Sequence, residues 1–292
     1  MISRNKKFST QLYLLLTIAL ISVSSTSLVI RYVATVPALT LAFWRMLLAS
    51  GFLWIYSLSK KPSFLSRTNK KRILIAGISL GLHFSFFFLG VRNTSIANAT
   101  LLATTGPFFT TLVAFLKGTK FEKEVYWGLS ISTIGLLIVQ GQSINLDTKL
   151  LYGNFLSLLS GMCIAVTYIF AAKIRKNTEN TTYGRTLFLI ASITIALLAL
   201  LTGDDLLSFK KEQFIWLLFL GFVPSILGHN LLNYSIKFLS PTAVASVPLG
   251  EPLIASVFGF ILFSEELPLE AVIGGGFILF GIYFIITGHN KD

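Results

Sequence analysis

The chain has 292 residues, 54% hydrophobic and only 12% charged, with a mean hydropathy of +0.76; a soluble domain carries about 25% charged residues, so this composition is that of a polytopic membrane protein. The net charge of +12 would suggest a nucleic-acid partner in a soluble protein. Here the lysines and arginines fall in short segments between apolar runs, as in the cytoplasmic loops of membrane proteins, so no nucleic-acid partner is called for.

The N-terminal residues Arg4, Lys6 and Lys7 precede an apolar stretch at 12–30, a pattern that superficially resembles a signal peptide. The stretch is longer than a cleavable apolar region and many similar ones follow, so it reads as an uncleaved first membrane helix. Ten apolar runs can be read, at about 12–30, 39–58, 73–91, 96–116, 125–140, 151–172, 186–201, 214–236, 242–263 and 267–287. Each approaches the roughly 20 residues that span a bilayer. The short connections at 92–95 and 237–241 imply antiparallel neighbours. Cys163, the single cysteine, lies in the sixth run and reads as a small buried hydrophobe; with His83, His229 and His289 scattered, no metal or cofactor is expected.

Orientation follows from lysine and arginine alone. With the N-terminus inside, the cytoplasmic segments hold 18 of these residues and the outer segments 5, with Arg45 inside the second run. Both ends are therefore placed in the cytoplasm. A shift of 146 residues then lays His83 on His229, Thr94 on Ser240, Ala97 on Ala243, Ala99 on Ala245, Thr100 on Ser246, Gly128 on Gly274 and Gly135 on Gly281. A one-residue gap brings Gly106-Pro107 onto Glu251-Pro252. Two copies of five spans each, an odd number, must sit upside down relative to one another. The expected architecture is an all-α membrane protein of ten transmembrane helices in two inverted five-helix repeats, 1–145 and 146–292.

Glu251 stands near the centre of the ninth run, which holds no other charge. A carboxylate at the centre of a membrane helix costs about 2.5–3.5 kcal/mol on insertion scales, so it faces a bundle interior or a wet cavity. Pro252 removes a backbone donor beside it. A charged, broken helix at mid-membrane is the material of a transport site.

Across these spans, the segments Ala42-Phe43-Trp44-Arg45, His83 through Thr94, Asn98 and Thr100 to Pro107, and Gly228-His229-Asn230 with Asn233-Tyr234 through Glu251-Pro252 to Glu265, then Gly274 and Gly281, resemble the EamA-type permeases of the drug/metabolite transporter superfamily. Order and spacing over nearly the whole chain carry the likeness. The first copy departs from the pattern by having Thr119, between Lys117 and Lys120, where an acid is expected, which favours a capping or orienting role for Glu265. The resemblance implies that spans three, four, eight and nine surround a substrate cavity, and that the protein moves small organic metabolites such as amino acids, often outward, across the cell membrane.

Each candidate has a structural alternative. Glu251 is either a cavity carboxylate that binds a cation or exchanges a proton, or an acid that accepts hydrogen bonds at the Pro252 break. His229, Asn230, Asn233 and Tyr234 form either a polar cavity wall or an interhelical hydrogen-bonding face, and the same choice holds for His83. Thr100, Thr104 and Ser246, like residues 24–27, either line the cavity or permit close helix approach. Arg45 lies about 10 Å below the outer surface at 1.5 Å per residue, where it binds an anionic group or pairs with an acid or carbonyls. Pro107, Pro252 and Glu265 are assigned structural or gating roles. The phenylalanines at 84, 86, 87 and 88 face lipid or neighbours, with one or two available to stack on a solute. No phosphate-cradling GxxxxGK[ST] sequence or paired catalytic residues occur, so ATP hydrolysis and enzyme chemistry find no support, while a passive channel is the alternative to a carrier.

Overall fold

The computed structural model describes residues 2–60, 63–94, 96–140, 147–263 and 269–289, and among them all regular structure is helical. In chain order the helices are α1 (Ile2–Tyr32), α2 (Ala38–Leu58), α3 (Arg67–Asn93), α4 (Ile96–Ala103), α5 (Gly106–Leu116), α6 (Lys123–Gln140), α7 (Leu151–Ile174), α8 (Asn180–Thr202), α9 (Phe214–Phe222), α10 (Asn230–Ser235), α11 (Pro241–Ser246), α12 (Glu251–Phe263) and α13 (Leu269–His289). Among the described residues, six stretches are long and apolar enough to cross a membrane: Ala38–Leu58, Arg67–Asn93, Asn98–Leu116, Leu151–Ile174, Asn180–Thr202 and Lys211–Ser235. Their outward surfaces carry large apolar side chains such as Ile55, Leu116, Leu197 and Leu200, all exposed, which only a hydrocarbon solvent accepts at this density.

Three apolar runs are not continuous α-helices, and prolines account for two of the breaks. Pro224 has no N–H for the Leu220 carbonyl, which instead accepts from Ser225 Oγ at 2.8 Å. The backbone here widens into a π turn, Val223–His229, between α9 and α10. In the ninth run Pro248 and Pro252 remove two successive donors. The Val244 and Pro248 carbonyls take the N–H groups of Val247 and Glu251, three residues on. These tighter bonds make the 3₁₀ turn Val247–Gly250 that joins α11 to α12. The third break, at Thr104-Thr105 between α4 and α5, precedes Pro107 and lies 146 residues before the end of that turn.

Repeat-equivalent helices pack on each other. Helix α2 packs on α8 and α6 on α13, while α3 packs on α7 as α1 packs on the π turn and α10. Equivalent partners run in opposite directions. At the α6–α13 seam Gly128 meets Gly281 and Gly135 meets Gly274, so the numbering rises on one helix as it falls on the other. On α2 and α8, Ser57 accepts from Arg185 while Thr40 donates to the Asp205 carbonyl just past the α8 C-terminus.

The glycine seam allows backbone-to-backbone approach. A Cβ on Gly128 would lie 2.6 Å from the Gly281 carbonyl oxygen, and one on Gly135 would lie 2.5 Å from that of Gly274. A bulky side chain must therefore push the helices apart. Gly135→Ile is expected to cost about 1–3 kcal/mol by overpacking, seen as a lower unfolding temperature in detergent. Gly276→Ala, with open space around the new methyl, is the control and leaves it unchanged; equal responses would refute the seam.

Candidate functional site

The three breaks lie around one narrow, partly open cavity of about 50 Å³. Val23 and Thr26 of α1, Arg45 of α2, and His83, Phe84 and Phe87 of α3 form one part of its wall. Thr100, Ala103, Thr104 and Gly106 line it around the α4–α5 break. Ile164 and Tyr168, one turn apart on α7, face it, and His229, Ala245, Pro248 and Glu251 come from the broken spans of the second half. Both halves of the chain thus build it.

Among the described residues Arg45 is the most buried charged side chain, with 1% of its surface exposed. Its Nε donates to Ser225 Oγ at 3.0 Å and its Nη2 to the Pro224 carbonyl at 3.4 Å. Its Cζ sits 4.3 Å from the centroid of the Phe84 ring. The π turn supplies the acceptors: Pro224 leaves the local ladder open and Ser225 Oγ both donates to Leu220 and accepts from Arg45. Desolvated cation–π contact adds on the order of 2 kcal/mol. Glu251, half-buried, opens onto the same cavity within electrostatic range of Arg45. The cavity therefore presents one cation and one carboxylate.

The two histidines meet across the repeat axis with ring centroids 6.2 Å apart. His83 Nδ1 lies 3.0 Å from the Ser160 carbonyl oxygen and 2.8 Å from Ser160 Oγ. As the Nδ1–H tautomer it donates to that carbonyl and keeps Nε2 as an acceptor. Phe87 stacks on His83 at 6.3 Å and Phe84 meets His229 edge-on at 5.1 Å. Thr104 Oγ1 donates to the Leu101 carbonyl, so it offers the cavity only an acceptor.

Other candidates read from the sequence lie away from this wall. Asn230 follows His229 by about 100° around the helix and faces α8, where Asn180 Nδ2 donates to its carbonyl and to its Oδ1, both at 3.0 Å. Asn233 is buried about 6 Å further along the axis, and its carbonyl accepts from Arg175 Nε. Tyr234 packs on Phe238 at the far end of α10 and borders a separate pocket with Arg175 and Lys237. Ser246 turns back to bond the Thr242 carbonyl at 2.8 Å, and Ala245 faces the cavity in its place. Pro107 and Pro252 are buried behind the wall. Glu265 lies outside the described residues. Tyr168 was missed in the sequence, where it shares the run 151–172 with Tyr152, Ser157, Ser160 and Thr167 and nothing singles it out.

A second space of about 400 Å³ lies beyond α5 and α11, bordered by Lys117, Lys173 and Lys176. Thr110 and Thr242 border it on the side of α5 and α11 and belong to a three-hydroxyl contact. Thr242 Oγ1 donates to Thr110 Oγ1 at 3.1 Å and Thr111 Oγ1 to Thr242 Oγ1 at 3.4 Å. Thr110 is one turn beyond Gly106, and Thr242 one turn before Ala245. Among the described residues no group of three histidine, cysteine or acidic side chains could hold a metal ion.

Ser225 carries two buried bonds at once, whereas Ser192 only donates back to the Leu189 carbonyl. Ser225→Ala is expected to cost about 2–4 kcal/mol by leaving a guanidinium N–H and a carbonyl unserved. Ser192→Ala should cost less than about 1 kcal/mol. Thermal unfolding of the purified protein distinguishes them; equal losses would show that Ser225 does not hold Arg45.

Residues 10–140 and 151–287 each match the EamA-like transporter family. An uncharacterized transporter of Archaeoglobus fulgidus is 25% identical over 257 residues, 86% of this chain and 88% of that protein. The pseudopaline exporter CntI of Pseudomonas aeruginosa is 28% identical over 84% of both chains. A probable amino-acid metabolite efflux pump of Salmonella typhimurium is 26% identical over 77% of this chain and 80% of its own. One solved crystal structure superposes with a TM-score of 0.79 at 14% identity, over 97% of this chain and 98% of that one; this likeness shows the fold alone.

Proposed function

We propose, for a chain that belongs to the EamA-like transporter family, that it is a gradient-driven secondary transporter exporting small organic metabolites, such as amino acids or related compounds, by alternating access. The family and its named relatives are transporters rather than enzymes, and the chain is a multi-pass protein of the cell membrane. In this reading the apolar runs make ten spans in two inverted halves, 1–145 and 146–292, with both termini in the cytoplasm. The opposed directions of α6 and α13 and of α2 and α8 support the inversion, and the 18-to-5 lysine and arginine asymmetry supports the orientation.

The observation that carries the reading is the narrow cavity shared by both halves, with Arg45 and Glu251 on its wall. A cavity holds a water once it has about 10–15 Å³ of such space, so about 50 Å³ admits a few waters and no metabolite. A solute enters only if helices part. A continuous pore, as in a passive channel, would need no such step. The three-threonine contact between α5 and α11 edges the wider, lysine-bordered space. By the charge rule that space opens to the cytoplasm. Two relatives named for the export of pseudopaline and of amino-acid metabolites support outward movement of small organic solutes. Glu251 shares this wall with two other titratable groups, His83 and His229; as the only carboxylate among them it is assigned any proton coupling, while Arg45 holds an anionic group of the solute.

Saturable flux with counterflow in proteoliposomes is expected of the wild type, and linear flux would favour a channel. Glu251→Gln should lower that flux at least tenfold at equal protein level and abolish its dependence on pH; wild-type flux that is the same at every pH would remove the proton from the mechanism. In a Cys163→Ala background, Asp147→Cys should react with an impermeant maleimide from outside intact cells, and Lys120→Cys only after permeabilisation. The reverse pattern would overturn the orientation.

A further inference from the structure

Many hydroxyls inside these helices follow one habit. Ser24 donates to the Leu20 carbonyl, Ser25 to Ser22, Thr186 to Thr182, Ser192 to Leu189 and Thr194 to Ile190. Hydroxyls in membrane helices spend their proton on a backbone carbonyl three or four residues back, because the surroundings offer no water. Two residues on the cavity wall do not. The hydroxyls of Thr26 and Tyr168 are buried, at 5% and 1% residue exposure, and neither has a hydrogen-bond partner among the described residues.

Both reach the cavity, from α1 and from α7. Each is a donor with its proton uncommitted, in a site where Thr104 has spent its own and Arg45 is held by Ser225 and Pro224. Glu251 lies within electrostatic range of Tyr168, yet no bond joins them. A buried hydroxyl left unserved is destabilising; Ser132 and Tyr183 are also unserved among the described residues, but of these four hydroxyls Thr26 and Tyr168 are the two that line the cavity, where a solute can serve them.

We propose that Thr26 and Tyr168 are specificity-determining residues that donate to an acceptor oxygen, of carboxylate or carbonyl type, on the transported solute. They work beside Arg45, and the N–H or ammonium end of the solute faces Glu251. Solutes without such an oxygen leave both donors unserved and are rejected on that account, as a site built to hydrogen-bond a group rejects the analogue that lacks it. The inference rests on the transport reading and narrows its substrate class.

Two measurements test it. The first uses the purified protein in detergent with no solute added. Tyr168→Phe and Thr26→Val are expected to unfold at the wild-type temperature or above, because each deletes an unserved polar group. A fall of several degrees in both would show that the hydroxyls are structural and would overturn the proposal. The second is mass spectrometry of the medium of cells producing the wild type, Tyr168→Phe, Thr26→Val or the empty vector at matched protein level. The wild type should enrich solutes bearing a carboxylate or carbonyl, and each variant should cut that enrichment about tenfold, the loss of one hydrogen bond to a charged acceptor. Restoration by raising the internal concentration of the same solutes would locate the defect in binding. Unchanged enrichment in both variants, or wild-type enrichment only of solutes without such an oxygen, would overturn the proposal. No enrichment by the wild type over vector would instead sink the transport reading, and this inference with it.

Discussion

In hydrocarbon a backbone carbonyl without a donor has no water to turn to, and this one constraint shapes the centre of the molecule. Three prolines of the second half, Pro224, Pro248 and Pro252, each delete a donor from a helix that must otherwise satisfy itself. The chain answers with a π turn closed by Ser225 and with 3₁₀ bonds from Val247 and Glu251. Those local solutions are what make a polar place inside an apolar bundle. The carbonyl of Pro224 and the hydroxyl of Ser225 are available to Arg45 because the regular ladder is broken there. Without the break, a guanidinium at that depth would lose both of these hydrogen bonds.

The same breaks are where the two halves meet. The α4–α5 interruption and the α11–α12 turn occupy equivalent places in the repeat, and both edge the cavity. Around them the fold is held by close seams between equivalent helices, tightest where glycines of α6 and α13 bring carbonyls against Cα atoms. Small residues matter here because lipid offers no hydrophobic drive for helices to associate; van der Waals contact must replace it. Close glycine packing at the α6–α13 seam thus contrasts with the broken, proline-containing spans around the cavity.

Much of this was legible in the residues. Apolar runs of bilayer length, lysine and arginine asymmetry and the 146-residue self-similarity point to an all-helical membrane protein of two repeats. The match of 10–140 and 151–287 to one family carries the two repeats. Glu251, Arg45, His83, His229, Thr100 and Thr104 stood out as polar groups where polarity is costly, and all six face one cavity. Asn230, Asn233 and Tyr234 stood out for the same reason, yet they face α8, Arg175 and Phe238. Helical periodicity spaces residues around one helix; it does not say which neighbour each side of that helix meets, or at what depth the cavity ends.

What the sequence determined by itself is the solvent: with so few charges and so many long apolar runs, the chain must satisfy its backbone internally and place its rare charges where protein surrounds them. The repeat, too, is written in the residues. The tertiary structure alone decided that Tyr168 and Thr26 share a wall with Glu251, and that Ser225 rather than an acid holds Arg45. Those pairings join residues far apart in the chain, Arg45 and Ser225 by 180 positions and Thr26 and Glu251 by 225. They depend on how five elements cross at one depth, a geometry to which no single helix's pattern refers.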